Sequence, residues 1–263
     1  MQPLRILLTN DDGVYAPGLR ALRTELQKLG DVIVVAPATE QSAAGHSVTI
    51  SSPLIVQEVL DEADRPMGWA VEGRPADCVK LALRELLPEQ PDLVVSGLNA
   101  GSNAGINVLY SGTVAAAIEG AFFRITSIAC SLEVTRARPA NFPVAASYAR
   151  QVVEQIMATM PAAGTLFNVN VPDLERGPVR GVRAVPQNLA AYEETFDRRR
   201  DPRGRLYFWT GASFGCPEPH PDSDVTLLSE GYITVTPLQF NLTQTELLKQ
   251  MTSWQWKLQT GSA

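Results

Sequence analysis

Short apolar runs alternate with longer stretches of helical spacing over the first 170 residues. Runs rich in β-branched residues occur at Ile6–Thr9, Val32–Ala36, Leu93–Ser96, Ile125–Ser131 and Leu166–Val171, each bounded by polar residues, Gly or Pro. Runs apolar at successive positions suit strands covered on both faces, as in a parallel sheet. Between several of them, apolar positions recur at steps of three and four. Leu19, Leu22, Leu26 and Leu29 form one such set, with Pro17 near its start and Gly30 just past its end. Pro fits the first turn of a helix and Gly the position after its last. The spacing predicts further helices from Pro75 through Leu87, over Val114–Phe123 and over Pro143–Met160. Strands alternating with helices predict right-handed crossovers and a doubly wound, mostly parallel α/β sheet. Such sheets bind ligands beyond the carboxyl ends of their strands.

After Pro172 the pattern changes. Val179–Val185 and Tyr232–Pro237 read as strands with no helix between them. The stretch from Gln187 to Ser229 is polar and irregular and carries Arg198, Arg199, Arg200, Arg203 and Arg205. A structureless loop of that length is unusual inside a compact domain. It is read as a protruding arm or hairpin, lying over the site or reaching a partner subunit. Tyr207, Phe208 and Trp209 within it argue against disorder, because aromatics are scarce in disordered segments. Leu247, Leu248, Met251, Trp254 and Leu258 predict a terminal helix over Thr243–Leu258. Residues 1–186 then form a catalytic core, and 187–263 an arm, a returning strand and a terminal helix of the same domain.

The chain has 263 residues, 45% hydrophobic and 19% charged, with a net charge of −6. It is long enough to bury a core without disulfide support, and its composition excludes a disordered acidic chain. The acidic balance argues against a nucleic-acid duplex as partner, so a phosphate ligand must be held by local chemistry. Three scattered cysteines, Cys78, Cys130 and Cys216, with no CxxC pair, read as reduced thiols of a cytoplasmic protein. The opening apolar run is too short for a secretory signal, and no run approaches the roughly 18 apolar residues of a membrane span.

The strongest local feature is Thr9-Asn10-Asp11-Asp12-Gly13, at the end of the first predicted strand. Two adjacent carboxylates repel unless a proton or a cation lies between them, and oxygen ligands suit a hard divalent cation. The same four residues, Asn-Asp-Asp-Gly, are also good turn chemistry, so the motif alone leaves both uses open. A second segment, Gln41 to Ser47, follows the second strand and holds Ser42 and His46. No acid lies near them in sequence to complete a Ser–His–acid triad, and no G-x-S-x-G elbow occurs. A third, Ser96 to Asn107, is rich in Gly and in Asn99, Asn103 and Asn107. Its Gly spacing matches neither dinucleotide nor P-loop patterns, and no Lys follows it. Tyr110-Ser111-Gly112-Thr113 then opens a helix, where a Ser or Thr cap and the free N–H groups favour an anion. Two Asp carboxylates cancel one divalent charge, while Ser42 and Asn99 add neutral oxygen. Such a centre accepts a phosphate dianion and suits metal-assisted hydrolysis of a phosphate ester.

These segments, with Pro75-Ala76-Asp77-Cys78-Val79, Asp201–Arg205 and Gly231–Leu238, resemble in order the signatures of the SurE family. These are stationary-phase survival proteins, 5′/3′-nucleotidases and acid phosphatases acting on nucleoside monophosphates. The resemblance implies a Rossmann-like domain, a cytoplasmic setting, and homodimers or homotetramers built partly by exchange of C-terminal elements. It implies one divalent metal ion per subunit, Mg²⁺ or Mn²⁺, held by Asp11, Asp12, Ser42 and Asn99. The resulting expectation is a nucleoside monophosphate phosphohydrolase. Asp11, Asp12 and Asn99 do the chemistry, with His46 as a candidate for proton transfer. Asn10, Gly101, Ser111, Gly112 and Thr113 bind the phosphate. Two positions depart from the family pattern: Arg74, where Thr is usual, and Asn107, where Asp is usual. Two competing readings are a phosphatase with an aspartyl-phosphate intermediate and a non-catalytic nucleotide-binding regulator. The first needs two Asp residues two positions apart, whereas Asp11 and Asp12 are adjacent; fold alone does not exclude the second.

Overall fold

In a computed structural model the described residues are 3–61, 63–134, 140–190, 195–211 and 218–258. Cys216 lies outside them. The elements run β1 (Leu4–Thr9), α1 (Pro17–Leu26), β2 (Gly30–Pro37), β3 (Val56–Leu60), β4 (Pro66–Val71) and α2 (Pro75–Leu81). Then come β5 (Leu93–Ala100), α3 (Gly112–Phe122), β6 (Thr126–Leu132), α4 (Phe142–Ala158) and β7 (Leu166–Val171). The remainder is β8 (Val182–Ala184), β9 (Phe196–Arg200), β10 (Leu206–Thr210), α5 (Asp224–Ser229), β11 (Ile233–Leu238) and α6 (Thr245–Met251). Among the described residues no helix is long and apolar enough to cross a membrane.

Nine strands form one sheet in the order β3-β4-β2-β1-β5-β6-β7-β11-β8. Its centre is parallel, from β4 through β7, while β3 and β11 run antiparallel to β4 and β7. Chain order reverses between β1 and β5, with β2 on one side and β5 on the other. A crevice at the carboxyl end of such a switch point is where doubly wound sheets place their ligands. Each central strand is buried on both faces. Ile6 and Leu8 of β1 join α1 and α4 in one core cluster, whereas Leu7 joins α2 in another. This is the strand alternation of period two, with apolar residues on both sides because helices cover both.

The structure departs from the expectations at several places. Gly30 does not follow α1 directly but opens β2. There a Cβ would stand 2.0 Å from the Leu4 carbonyl oxygen, so glycine permits the close approach of two strands. The antiparallel edge pair β3 and β4 has no counterpart in the periodicity, because Gln57 and Glu58 are exposed and Pro66 and Gly68 interrupt the apolar run. The irregular stretch after Gln187 holds the hairpin expected there, β9 on β10, with every one of its strand residues exposed, but α5 follows it where no helix was expected. The terminal helix stops at Met251 instead of continuing to Leu258, and none of its residues is buried. Apolar spacing stabilises a short helix only through a surface to pack on. The strand expected over Val179–Val185 shrinks to three exposed residues at the sheet edge, paired with β11.

Candidate active site

Four segments meet at the carboxyl edge between β1 and β5. The first is the turn after β1. Asn10 is fully buried, and its Nδ2 donates to the Gly13 carbonyl at 2.9 Å. That bond closes the turn, aided by a φ of +100° at Gly13 that favours glycine. Asp11 and Asp12 are thereby presented on one side of the turn. The second segment follows β2 and is pinned to the first, since the Gln41 N–H donates to the Asp11 carbonyl at 2.7 Å. It carries Ser42, whose hydroxyl donates to Glu40 Oε1 at 2.6 Å. The third is the end of β5, where the Ala100 N–H donates to Asp12 Oδ2 at 3.3 Å. Asn99 uses its amide Nδ2 on the Gly101 carbonyl at 2.7 Å, so Oδ1 is the atom it can offer a ligand. The fourth is the N-terminus of α3, capped by Ser111, whose Oγ accepts from the Val114 N–H at 3.0 Å.

Asp11 is aimed at that helix start. Its Oδ1 accepts from the Thr113 hydroxyl at 2.5 Å. Backbone N–H groups of Gly112 and Thr113 also favour its charged form, but burial outweighs them and holds its pKa above the usual carboxylate range. Gly112 leaves no room for a side chain there: a Cβ would stand 2.8 Å from Asp11 Cβ and 2.9 Å from its Oδ2. Asp12 is half-buried. Burial, the neighbouring Asp11 carboxylate and, more weakly, Glu40 push its pKa up to about 6.

A cavity of about 480 Å³ opens here, and its lining includes Asp11, Asp12, Ser42, Asn99, Asn103, Asn107 and Ser111. Among the described residues no Lys or Arg lines it. Arg74 stands nearby with its guanidinium bonded to Gln41 Oε1. Asn10, Gly101, Gly112 and Thr113 do not line the cavity; Asn10 and Thr113 are wholly buried, and Thr113 spends its hydroxyl on Asp11. His46 lines a second, larger and mainly apolar cavity with Phe122 and Phe240; Ser111 belongs to both. Its Nε2 lies 2.8 Å from Oε1 of the buried Glu119, and its ring stacks on Phe122.

Two carboxylates important to this arrangement, Asp77 and Glu119, are given no role by the sequence pattern. Asp77 is buried and accepts from the Thr49 N–H at 3.0 Å and the Arg74 N–H at 2.9 Å. It ties the end of the Ser42 loop to the start of α2. An acid at the third position of a helix opened by Pro75 is a readable signal for such a role. Glu119 had no signal, since it lies in an Ala-rich helix with nothing in sequence to mark its partner.

The donor set suits a hard divalent cation. It offers two carboxylates, a hydroxyl and a carbamoyl oxygen, all oxygen atoms. Among the described residues no group of three or more His, Cys, Asp or Glu converges, so a soft or His-rich metal site is not what this cavity resembles. Burial raises the pKa of both Asp11 and Asp12, and the Asp11 charge adds to the rise at Asp12, so a cation between them would favour their charged forms. The buried Asn10 Oδ1, beside them in sequence, has no hydrogen-bond partner among the described residues.

Residues 6–194 match the family model described as survival protein SurE. A 5′-nucleotidase SurE from Rhodopirellula baltica is 53% identical over 252 residues, covering 95% of this chain and 98% of that protein. One from Heliobacterium modesticaldum is 44% identical over 251 residues, covering 95% and 92%. Among solved structures, the SurE protein from Aquifex aeolicus superimposes with a TM-score of 0.81 at 36% identity, over 94% of this chain and 98% of that one.

Proposed function

The chain belongs to the SurE family, and from that premise we propose that it is a 5′-nucleotidase, a phosphohydrolase that releases phosphate from nucleoside monophosphates. The observation that carries this reading is one polar cavity at the sheet's switch point. Two adjacent carboxylates there face neutral oxygen donors beside a capped helix start, with no cationic side chain among the described residues of the lining. A phosphate dianion would be repelled by Asp11 and Asp12 alone. Asp11, Asp12, Ser42 and Asn99 would hold one divalent cation, Mg²⁺ or Mn²⁺. Such a cation, when bound, supplies charge neutralisation and Lewis acidity toward the phosphate ester.

The chain's own residues do the positioning. Thr113 and the start of α3 hold the Asp11 carboxylate in one orientation. Ser111 accepts from Val114 through oxygen, which leaves its hydroxyl proton to donate to a phosphate oxygen. Asn103 and Asn107 add neutral polar groups that do not compete with Asp11 and Asp12 for the cation. Gly112→Ala puts a methyl group against Asp11. Turnover is expected to fall at least about tenfold, as for other small misplacements of a reacting group. Initial rates, with far-UV circular dichroism to show an intact fold, check this.

A cytoplasmic setting is supported by Cys78 and Cys130, both buried and free. Assembly into a homodimer or homotetramer is supported by the apolar side chains that the arm and tail leave exposed, among them Phe196, Phe208, Trp209, Leu248 and Trp254. The function is tested by phosphate release from a panel of 5′- and 3′-nucleoside monophosphates with Mn²⁺ or Mg²⁺, then with excess chelator. Cation-dependent release is expected. Nucleotide binding with no release under any cation would overturn the assignment in favour of a regulator.

A further inference from the structure

The loop between β5 and α3 supplies Asn103 and Asn107 to the polar cavity. Its first half is anchored on the sheet. The Asn103 N–H donates to Asn170 Oδ1 at 2.8 Å, its Nδ2 donates to Ser131 Oγ at 2.8 Å, and its carbonyl accepts from Asn168 Nδ2 at 2.7 Å. The second half, from Gly105 onward, is held differently. The Gly105 N–H donates to Asp224 Oδ2 at 2.9 Å, and the Gly105 carbonyl accepts from Gln187 Nε2 at 2.8 Å. Both backbone groups of one buried glycine are therefore satisfied by side chains distant in sequence.

Asp224 is fully buried at the start of α5. Besides Gly105 it accepts from the Asn188 N–H at 2.8 Å and the Val225 N–H at 2.8 Å. Burial raises its pKa against those hydrogen bonds. A buried carboxylate whose partners among the described residues are N–H groups is a costly way to fill space, and an apolar side chain would do so more cheaply. What the carboxylate supplies is geometry: three chain segments converge on its two oxygens. Gln187 and Asn188 precede the β9–β10 arm and Asp224 follows it, so the two stems of the arm close on Gly105.

We propose that Asp224 and Gln187 are positioning residues for hydrolysis, latching Gly105 so that Asn107 keeps its place opposite Asp11 and Asp12. The inference rests on the phosphohydrolase reading above. It makes the base of the arm part of the support of the catalytic loop, although neither residue lines the polar cavity.

The test compares the parent with Asp224→Asn and Gln187→Glu. In Asp224→Asn the amide can turn its N–H toward the Gly105 N–H. In Gln187→Glu a carboxylate with no proton to give meets the Gly105 carbonyl. Gln187 is only partly buried, so this second variant stays informative if the first does not fold. Rates with AMP and with glycerol phosphate are measured alongside the thermal shift produced by Mn²⁺. The expected result is a kcat lower by about tenfold or more for both esters, with KM changed little, because a small misplacement acts on the reacting geometry. The Mn²⁺ shift should stay at the parental size, since the two carboxylates belong to the turn after β1. Parental kcat in the folded variants would overturn the proposal. So would a kcat that falls in step with the Mn²⁺ shift, which marks general loosening of the site. A parent that releases no phosphate at all would end the phosphohydrolase reading instead.

Discussion

Asp11→Asn is expected to abolish phosphate release while making the cation-free protein more stable. The amide has nearly the volume of the carboxylate and keeps an oxygen to accept from the Thr113 hydroxyl. What it removes is a buried negative charge that burial disfavours, and that raises the pKa of Asp12 beside it. Without a cation, that charge opposes folding, and its loss should raise the unfolding midpoint. With a cation, the loss of one of two carboxylates removes about half of the formal attraction for a divalent ion. Turnover should drop by at least about 100-fold, and the thermal shift on adding Mn²⁺ should largely disappear. Activity and two melting curves, with chelator and with Mn²⁺, decide the matter. A variant that keeps a tenth or more of its turnover, or that loses both activity and cation-free stability, contradicts the role given to Asp11.

The second large effect is competition between protons and the cation at Asp12. In the cation-free protein its pKa is raised from 3.8 to about 6. A carboxyl whose folded pKa lies above its unfolded value binds more protons in the folded state between the two. Its favourable contribution to stability is therefore complete below about pH 4 and is lost as pH rises toward 6. A divalent cation reverses this, because it binds the deprotonated form and contributes most where the carboxylate is charged. The Mn²⁺-induced thermal shift should be small at pH 5 and grow through pH 6 to a plateau. The acid limb of the rate profile should move to lower pH as Mn²⁺ is increased. An acid limb indifferent to Mn²⁺ concentration would place the controlling titration elsewhere.

Much of this was legible along the chain because the relevant signals are local. Ile6 to Thr9 announced a strand buried on both faces, and β1 is covered by helices on either side. Leu19, Leu22 and Leu26 announced a helix face, and all three are in the core. Ser111 announced a cap, and its Oγ accepts from Val114. The illegible parts lacked such periodicity. The edge strand β3 and its neighbour β4 mix Gln57, Glu58, Pro66 and Gly68 with apolar residues, and most of β3 is exposed. The helix α6 had the spacing but buries none of its residues against the described part of the chain, and it ends a turn or more before the pattern does. The loop position of His46 placed it near Ser42 in sequence, yet its Nε2 lies beside Glu119 and its ring against Phe122.

What the sequence by itself determined was the chemistry available at single points: two adjacent carboxylates on a turn, a capped helix start, a Gly- and Asn-rich loop, and an Arg-bearing arm. These follow from backbone preferences and periodicities that act over a few residues. Only the tertiary structure decided which points meet. Strand order puts β5 beside β1, so the Ala100 N–H reaches Asp12 across 88 positions. The helix α3 runs back beside that turn, so Thr113 reaches Asp11 across 102. Asp224 reaches Gly105 across 119, from beyond the arm. A hydrogen bond senses distance in space and not along the chain, so local pattern could name the groups but not pair them.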